Sequence, residues 1–258
     1  MTLTVRAALT QASQEAGLST EGTRELMYVL QSLEGWSSAD ILLHRDDAVS
    51  PELSDRLTEC AHQLARHVPA EYLTGNADFD GVTVAVKEGV LVPRPETEWL
   101  VGRVVDVLAR RRGLPSPRVL ELCSGSGALA LALAKRIPTA SVVGLEIDPV
   151  AVSCARESAT RLGVVDRVKF IQGNVLGSWS SALQGWNGRA DVIVSNPPYV
   201  RAERLAAAHA ASPFEPVSAL YGGRDGLVFY RRIAAEAPRW LEPGGLLELE
   251  IDDGLEQA

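Results

Sequence analysis

Cysteine is scarce in this chain: Cys60, Cys123 and Cys154 are the only three in 258 residues. An odd number at wide spacing excludes a disulfide framework and a zinc cluster as organising devices, and each thiol is expected to be a reduced, buried small residue. Histidine is equally sparse, and His44, His62 and His67 stand singly rather than as a ligand set. Long apolar runs are lacking too. The longest, from Ala128 to Ala134, falls far short of the ~20 residues of a membrane helix. The start, Met1-Thr-Leu-Thr-Val-Arg, has no basic region leading into an apolar stretch, so no signal peptide is expected. Positive charge is in deficit, with 25 Lys and Arg against 33 Asp and Glu, a formal net charge of −8. A protein that binds long duplexes normally carries a basic face. Arg110-Arg111-Arg112 and Arg231-Arg232 offer only local basic patches, and Arg-rich helix ends read more simply as solvated caps near a helix C-terminus. The absences together predict a cytoplasmic protein with no membrane partner and no sequence-specific nucleic-acid binding.

What remains is enough for a substantial core: 46% of the residues are apolar, and the length suits one large domain or two modest ones. Apolar spacing predicts helices over residues 4–16 and 24–33, a short one over 39–43, and one starting at Ser50-Pro51-Glu52 and reaching about 67. The period then changes. Val82, Val84 and Val86 alternate with Thr83 and Ala85, Lys87-Glu88-Gly89 reads as a turn, and Val90-Leu91-Val92 as a second extended arm. This predicts a β-hairpin joining two parts. After a helix over 97–110, strands are expected at 118–122, 141–146, 167–171, 191–195 and 246–251. Helices at 127–136, 149–162 and 227–240 alternate with them. The alternation predicts an α/β fold with a doubly wound parallel sheet, whose ligands bind at the carboxyl ends of the strands.

Two loops carry the chemistry. Glu121-Leu-Cys-Ser-Gly-Ser-Gly127 links the first sheet strand to its helix, and Gly125 and Gly127 permit a tight turn with close ligand approach. Glu146, 21 residues beyond Gly125 at the end of the next strand, is placed to accept ribose hydroxyls. The loop alone does not choose NAD over S-adenosylmethionine, and a tight turn without a ligand is the remaining alternative. The second loop, Asn196-Pro197-Pro198-Tyr199, follows the strand over 191–195. Consecutive prolines fix a stiff corner. There the Asn196 side chain and the Pro197 carbonyl are placed to act as two acceptors for a planar NH2 group. Such acceptors would hold an amide nitrogen in line with an electrophilic methyl and favour positive charge developing on it. Tyr199 would pack against the amide plane and exclude water.

The order of these motifs resembles class I S-adenosylmethionine-dependent methyltransferases acting on an amino group. Pro69-Ala-Glu-Tyr-Leu-Thr-Gly75, Phe79, Val92-Pro-Arg-Pro-Glu-Thr-Glu98, Phe214-Glu-Pro216, Gly222-Gly-Arg-Asp-Gly226 and Tyr230-Arg-Arg-Ile233 narrow the likeness. With them the chain is similar, over about residues 20–253, to the release factor glutamine N5-methyltransferase (HemK-like) family. The resemblance implies a Rossmann-like methyltransferase sheet over 94–258, a small helical substrate-docking domain over 1–75 and a hairpin linker over 76–93. It implies S-adenosyl-L-methionine as cofactor and class 1 peptide chain release factors as partners, methylated at the glutamine of their Gly-Gly-Gln motif. Cys123, Ser124, Gly125, Ser126 and Gly127 would form the loop under the methionine part of the cofactor. Glu146 would bind its ribose, and Asn174 and Val175 would border its adenine. Asn196, Pro197, Pro198 and Tyr199 would hold the glutamine amide, and the hairpin together with Arg94 to Glu98 would shape the rim of the cofactor pocket. The family often has Asp where this chain has Glu121 and Asn174. The resemblance also implies an antiparallel hairpin beyond the strand expected at 246–251, which the sequence is too short to include. An amino methyltransferase of nucleic-acid bases, or a specialised small-molecule or ribosomal-protein N-methyltransferase, is the alternative.

Overall fold

The computed structural model describes residues 3–111, 114–184, 186 and 189–252. Contacts divide the chain into two compact units, Met1–Gly75 and Asn76–Ala258.

The first unit is helical: α1 (Val5–Ala16), α2 (Thr20–Glu34), α3 (Ser38–His44), α4 (Pro51–Leu64) and α5 (Ala70–Thr74). Hydroxyl side chains start four of these helices, because each accepts from an N–H of the first turn that has no partner within the helix. Thr4, Ser19, Ser37 and Ser50 do so. The apolar faces then meet: Val5, Leu9 and Ala12 of α1, Leu26, Val29 and Leu30 of α2, and Leu57, Ala61 and Leu64 of α4 form one buried cluster. Each fully buried Val or Leu contributes about 1.5–3 kcal/mol. Pro69 ends no helix in isolation but caps the start of α5.

The second unit opens with an antiparallel pair, β1 (Asn76–Phe79) and β2 (Val82–Ala85). The hairpin therefore lies upstream of its expected place, and residues 90–92 form no strand. The turn is Asp80-Gly81, with φ of 39° and 76°. Asp-Gly is a favoured two-residue hairpin turn because both positions need positive φ. That local signal outweighs the alternation around Lys87-Glu88-Gly89. The hairpin packs on α7 (Ala128–Arg136) and α8 (Pro149–Arg161). Ala85 N–H donates to the buried Ser158 Oγ at 2.8 Å, and Arg136 pairs with Asp80 at 3.1 Å.

A 3-10 turn, Pro95–Thr97, leads into α6 (Glu98–Arg110). The main sheet follows: β3 (Arg118–Leu122), β4 (Ser141–Glu146), β5 (Val168–Gln172), β6 (Ala190–Ser195) and β7 (Leu241–Leu249), all parallel, in the order β5-β4-β3-β6-β7. Between them lie α9 (Trp179–Ala182), α10 (Ala202–Ala211), α11 (Val217–Leu220) and α12 (Val228–Trp240). Alternate residues of a strand face opposite sides. Leu120, Leu122, Val143, Leu145 and Ile193 pack with Trp179, Ile233 and Ala237 of α9 and α12. The strands also contact α6, α7 and α8, so the sheet is doubly wound. The all-apolar run Ala128–Ala134 is buried throughout, which explains a helix with no polar face. β7 begins five residues earlier than expected, because Leu241 pairs with Ala190 across a bulge that the sequence Glu242-Pro-Gly-Gly disguises as a turn. Among the described residues, no helix is long and apolar enough to cross a membrane.

Candidate active site

The sheet order reverses at β3, whose neighbours β4 and β6 lie on either side. The loops leaving the carboxyl ends of β3 and β6 splay apart at such a switch point and leave a crevice. The glycine loop leaves β3 and the Asn196 corner leaves β6, and Ser195 Oγ–H donates to Leu122 O at 2.6 Å to hold the two strand ends together.

The glycine loop is wound tightly. Cys123, Gly125 and Gly127 all have positive φ, at 55°, 53° and 77°. A Cβ on Gly125 would meet nothing within 4 Å, so that position faces open space. Gly127 is different: a Cβ there would lie 2.5 Å from the Phe170 ring, and the residue lines none of the cavities described below. The tight packing against Phe170 and Ala155 leaves no room for a side chain at this position.

Three cavities meet at Asn196. The largest, about 190 Å³, is lined by Cys123, Gly125, Glu146, Asn174, Val175, Asn196 and Pro198, with Val90, Ile147 and Phe229 supplying apolar wall. A second, about 60 Å³, is lined by Cys123, Ser124, Gly125, Ser126, Glu121, Arg94, Thr97 and Asn196. A third, about 100 Å³, is lined by Asn196, Pro197, Tyr199, Leu91 and Arg94. The residues singled out by sequence thus fall into this cluster, except Gly127 and, of the rim segment, Pro95, Glu96 and Glu98. Val90 belongs to the segment expected at the rim, whereas Ile147 and Phe229 were not foreseen. Only the position of Ile147, directly after the acid that ends β4, hinted at its place.

The polar groups are arranged for a cation. Glu146 accepts from Gly125 N–H at 2.8 Å through Oε2 and from Ile147 and Asp148 N–H at 2.7 and 2.9 Å through Oε1. Its carboxylate therefore occupies a loop N–H that a dinucleotide fold would offer to pyrophosphate. Oε2 keeps one lone pair free for a hydroxyl. Glu121 is 4% exposed, and burial pushes its pKa well up against an opposing hydrogen bond from Ala130 N–H in the first turn of α7. Its Oε2 and the Ser124 hydroxyl are buried without a hydrogen-bond partner. Orphaned acceptors in a nearly closed space call for a donor or a positive charge. Glu146 as a carboxylate, and Glu121, whose ionised form a bound cation would favour, suit the ammonium and sulfonium groups of S-adenosylmethionine, so the residues present fit that group. Asn174 Oδ1 accepts from Leu176 N–H at 2.8 Å, leaving its NH2 unassigned by that bond.

The Asn196 corner is buttressed from several sides. Arg94 pairs with Glu215 at 2.5 Å, and Glu215, 2% exposed, also accepts from Val92 N–H at 3.1 Å. The rim segment and the Phe214-Glu-Pro216 segment are thereby joined. Asn196 Nδ2–H donates to Thr97 Oγ1 at 2.8 Å, and the Thr97 hydroxyl donates to Glu250 Oε2 at 2.7 Å. Burial raises the Tyr199 phenol and the Cys123 thiol, so both stay neutral at physiological pH. A neutral thiol is no nucleophile. Of the partner residues, Thr97 lies in the segment expected at the pocket rim, Glu215 was quoted only within Phe214-Glu-Pro216, and Glu250 carries no local signal at all.

The methyltransferase small domain family matches residues 104–214, and the PrmC N-terminal domain family matches residues 5–75. The chain is 38% identical over 224 residues to the release factor glutamine methyltransferase of Deinococcus radiodurans, a match covering 87% of this chain and 76% of that one. It is 34% identical over 260 residues to the release factor glutamine methyltransferase of Moorella thermoacetica, covering 99% and 88%. Among solved structures it is similar to the S-adenosylhomocysteine-bound Podospora anserina methyltransferase PaMTH1, 23% identical, with a TM-score of 0.38 over 61% of this chain and 52% of that one.

Proposed function

The chain belongs to the release factor glutamine methyltransferase family, and from that premise we propose how it works. It transfers a methyl group to the side-chain nitrogen N5 of the glutamine in the Gly-Gly-Gln loop of class 1 peptide chain release factors, in the cytoplasm where translation ends. S-adenosylmethionine, when bound, supplies an electrophilic methyl group. The observation that carries the reading is the position of Asn196 at the junction of all three cavities, between the carboxylate-flanked glycine loop and the Pro197–Tyr199 pocket.

Glu121 and Glu146 would hold the cationic ligand, the first through its orphaned oxygen and the second through its remaining lone pair. Apolar Val90, Ile147, Val175 and Phe229 would enclose its flat base. The Asn196 oxygen accepts one N–H of the substrate amide and the Pro197 carbonyl accepts the other. An amide nitrogen is a weak nucleophile because its lone pair is delocalised. Two fixed acceptors orient that lone pair and stabilise the charge that grows on nitrogen as it attacks, with little reorganisation. Tyr199, half-buried and neutral, covers the amide and keeps water out. The substrate proton leaves after attack, when the nitrogen has become acidic, so no strong base is needed. The helical unit Met1–Gly75 docks the release factor.

The test is direct. Incubation with a purified release factor and methyl-labelled S-adenosylmethionine should place label on the peptide containing Gly-Gly-Gln. Label on RNA or DNA in preference to that peptide would overturn the assignment.

A further inference from the structure

The motif Pro93-Arg-Pro-Glu-Thr97 has more to do than shape a rim. We propose that Thr97 and Glu250 are positioning residues that fix which end of the Asn196 carboxamide meets the substrate. The inference rests on the glutamine methyltransferase reading and deepens it. An asparagine side chain is nearly symmetric in shape, and either its oxygen or its NH2 could face the pocket. For an incoming NH2 group only the oxygen serves. The wrong rotamer would set donor against donor.

The hydrogen bonds decide between the two. A carboxylate is acceptor-only, a hydroxyl has one hydrogen, and an asparagine NH2 is donor-only. Glu250 Oε2 accepts from the Thr97 hydroxyl, which uses that hydroxyl's single hydrogen. The Thr97 oxygen is then left to accept, and Asn196 Nδ2 must be the group that donates to it. Asn196 also hydrogen-bonds Glu250 itself. Burial, with Glu96 nearby, raises the Glu250 carboxyl above its ordinary value, and the bonds from Thr97 and Asn196 favour its ionised form; as an anion it dictates the direction of every bond, and Oδ1 is the atom left over for the substrate. Donation from Nδ2 towards an anion also draws amide electron density onto Oδ1, which strengthens it as an acceptor in a low-dielectric site.

Backbone geometry holds the relay in place. Thr97 sits at the junction of the 3-10 turn and α6, 7% exposed, with its N–H donating to Arg94 O at 3.0 Å. Glu250 lies just past β7; its N–H donates to Ser195 O at 3.0 Å, and its own carbonyl accepts from Tyr230 Oη at 2.8 Å. Ser195 immediately precedes Asn196, so the same strand pairing that ends β6 sets the distance between the carboxylate and the carboxamide.

Two kinds of measurement test this. In resting protein labelled with 15N, the Asn196 side-chain NH2 signal, assigned by its loss in Asn196→Ala, should lie downfield and exchange slowly. In Thr97→Val, which keeps shape but removes the hydroxyl, it should move upfield and exchange faster. With release factor as substrate, Thr97→Val and Glu250→Gln should each lower kcat roughly 10- to 100-fold with little change in KM, as loss of other outer-shell partners does. Glutamine at 250 is able to donate to Thr97, which turns that hydroxyl towards Asn196 Oδ1 and permits the reversed rotamer. Thr97→Ser should restore both the signal and the rate. An NH2 signal unmoved in Thr97→Val, or a moved signal with an unchanged kcat, overturns the proposal. Wild-type protein that shows the NMR behaviour but leaves release factor unmethylated would overturn the functional reading and leave the orienting relay standing.

Discussion

Asn196 has one oxygen and two N–H groups, and the surroundings commit the N–H side to Thr97 and Glu250. Truncation to alanine therefore removes an oriented acceptor without emptying a core site. Asn196→Ala should lower kcat about 10²–10³-fold, as removal of one preorganised polar contact does. Circular dichroism and the unfolding midpoint should stay near wild type, and an unchanged rate would remove the role given to it. Glu121 is the second informative side chain. Burial raises its pKa in the folded protein, whereas in the unfolded chain it titrates near its ordinary value. Between those two values the folded state binds more protons, so stability contributed by this group falls as pH rises. Glu121→Gln removes the titration. The thermal midpoint of the variant relative to wild type should therefore increase as pH is raised from about 5 to about 8, which spans values above the ordinary carboxylate range. The same substitution should weaken S-adenosylmethionine binding in calorimetry, because it puts an uncharged amide where the orphaned carboxyl could ionise against a cation. A midpoint difference flat across that range would mean that the carboxyl titrates normally.

At the scale of elements, the motifs that alternate strand and helix were legible in sequence because burial on both faces of a parallel sheet leaves a strong apolar signature. The hairpin was legible in kind but misplaced in register. Its arms are set by the positive φ that Asp80-Gly81 adopts, while the valines that suggested the second arm, Val90 and Val92, are buried in irregular backbone. The hairpin's attachment is a tertiary matter. Ser158 Oγ accepts from Ala85 N–H and donates to Cys154 O, all buried. Ser158→Ala leaves a buried N–H without a partner and should destabilise the protein by about 1–3 kcal/mol in denaturant melts. A loss within experimental error would show that the hairpin is held by packing alone. Gly127 marks the opposite case, where sequence suggested a ligand contact and the structure shows a packing constraint. Gly127→Ala should cost about 1–3 kcal/mol from the clash with Phe170.

The molecule as a whole is built of two compact units with separate cores, one of four longer helices and α5, one around the five-stranded sheet. The cavities at Asn196 are lined only by residues of the second unit. With the docking role proposed for the helical unit, cofactor affinity and substrate docking are expected to be separable. Protein lacking residues 1–75 should keep S-adenosylmethionine affinity in calorimetry while its KM for release factor rises. A loss of cofactor binding would show that the sheet unit depends on the helical one. The net charge of −8 fits a protein substrate better than a phosphate backbone.

Composition, periodicity and short loops by themselves determined the α/β class, the helical start, the glycine loop with Glu146 and the Asn196 corner, because each depends on residues close in the chain. The tertiary structure decided which groups complete the site. Glu250 lies 153 residues from Thr97 in hydrogen-bond partnership, Glu215 lies 121 from Arg94, and neither pairing leaves a trace in local pattern. It also placed the Glu121 carboxyl of β3 at the Ala130 N–H and the Glu146 carboxyl of β4 at the Gly125 N–H, a through-space arrangement that the loop pattern alone does not contain.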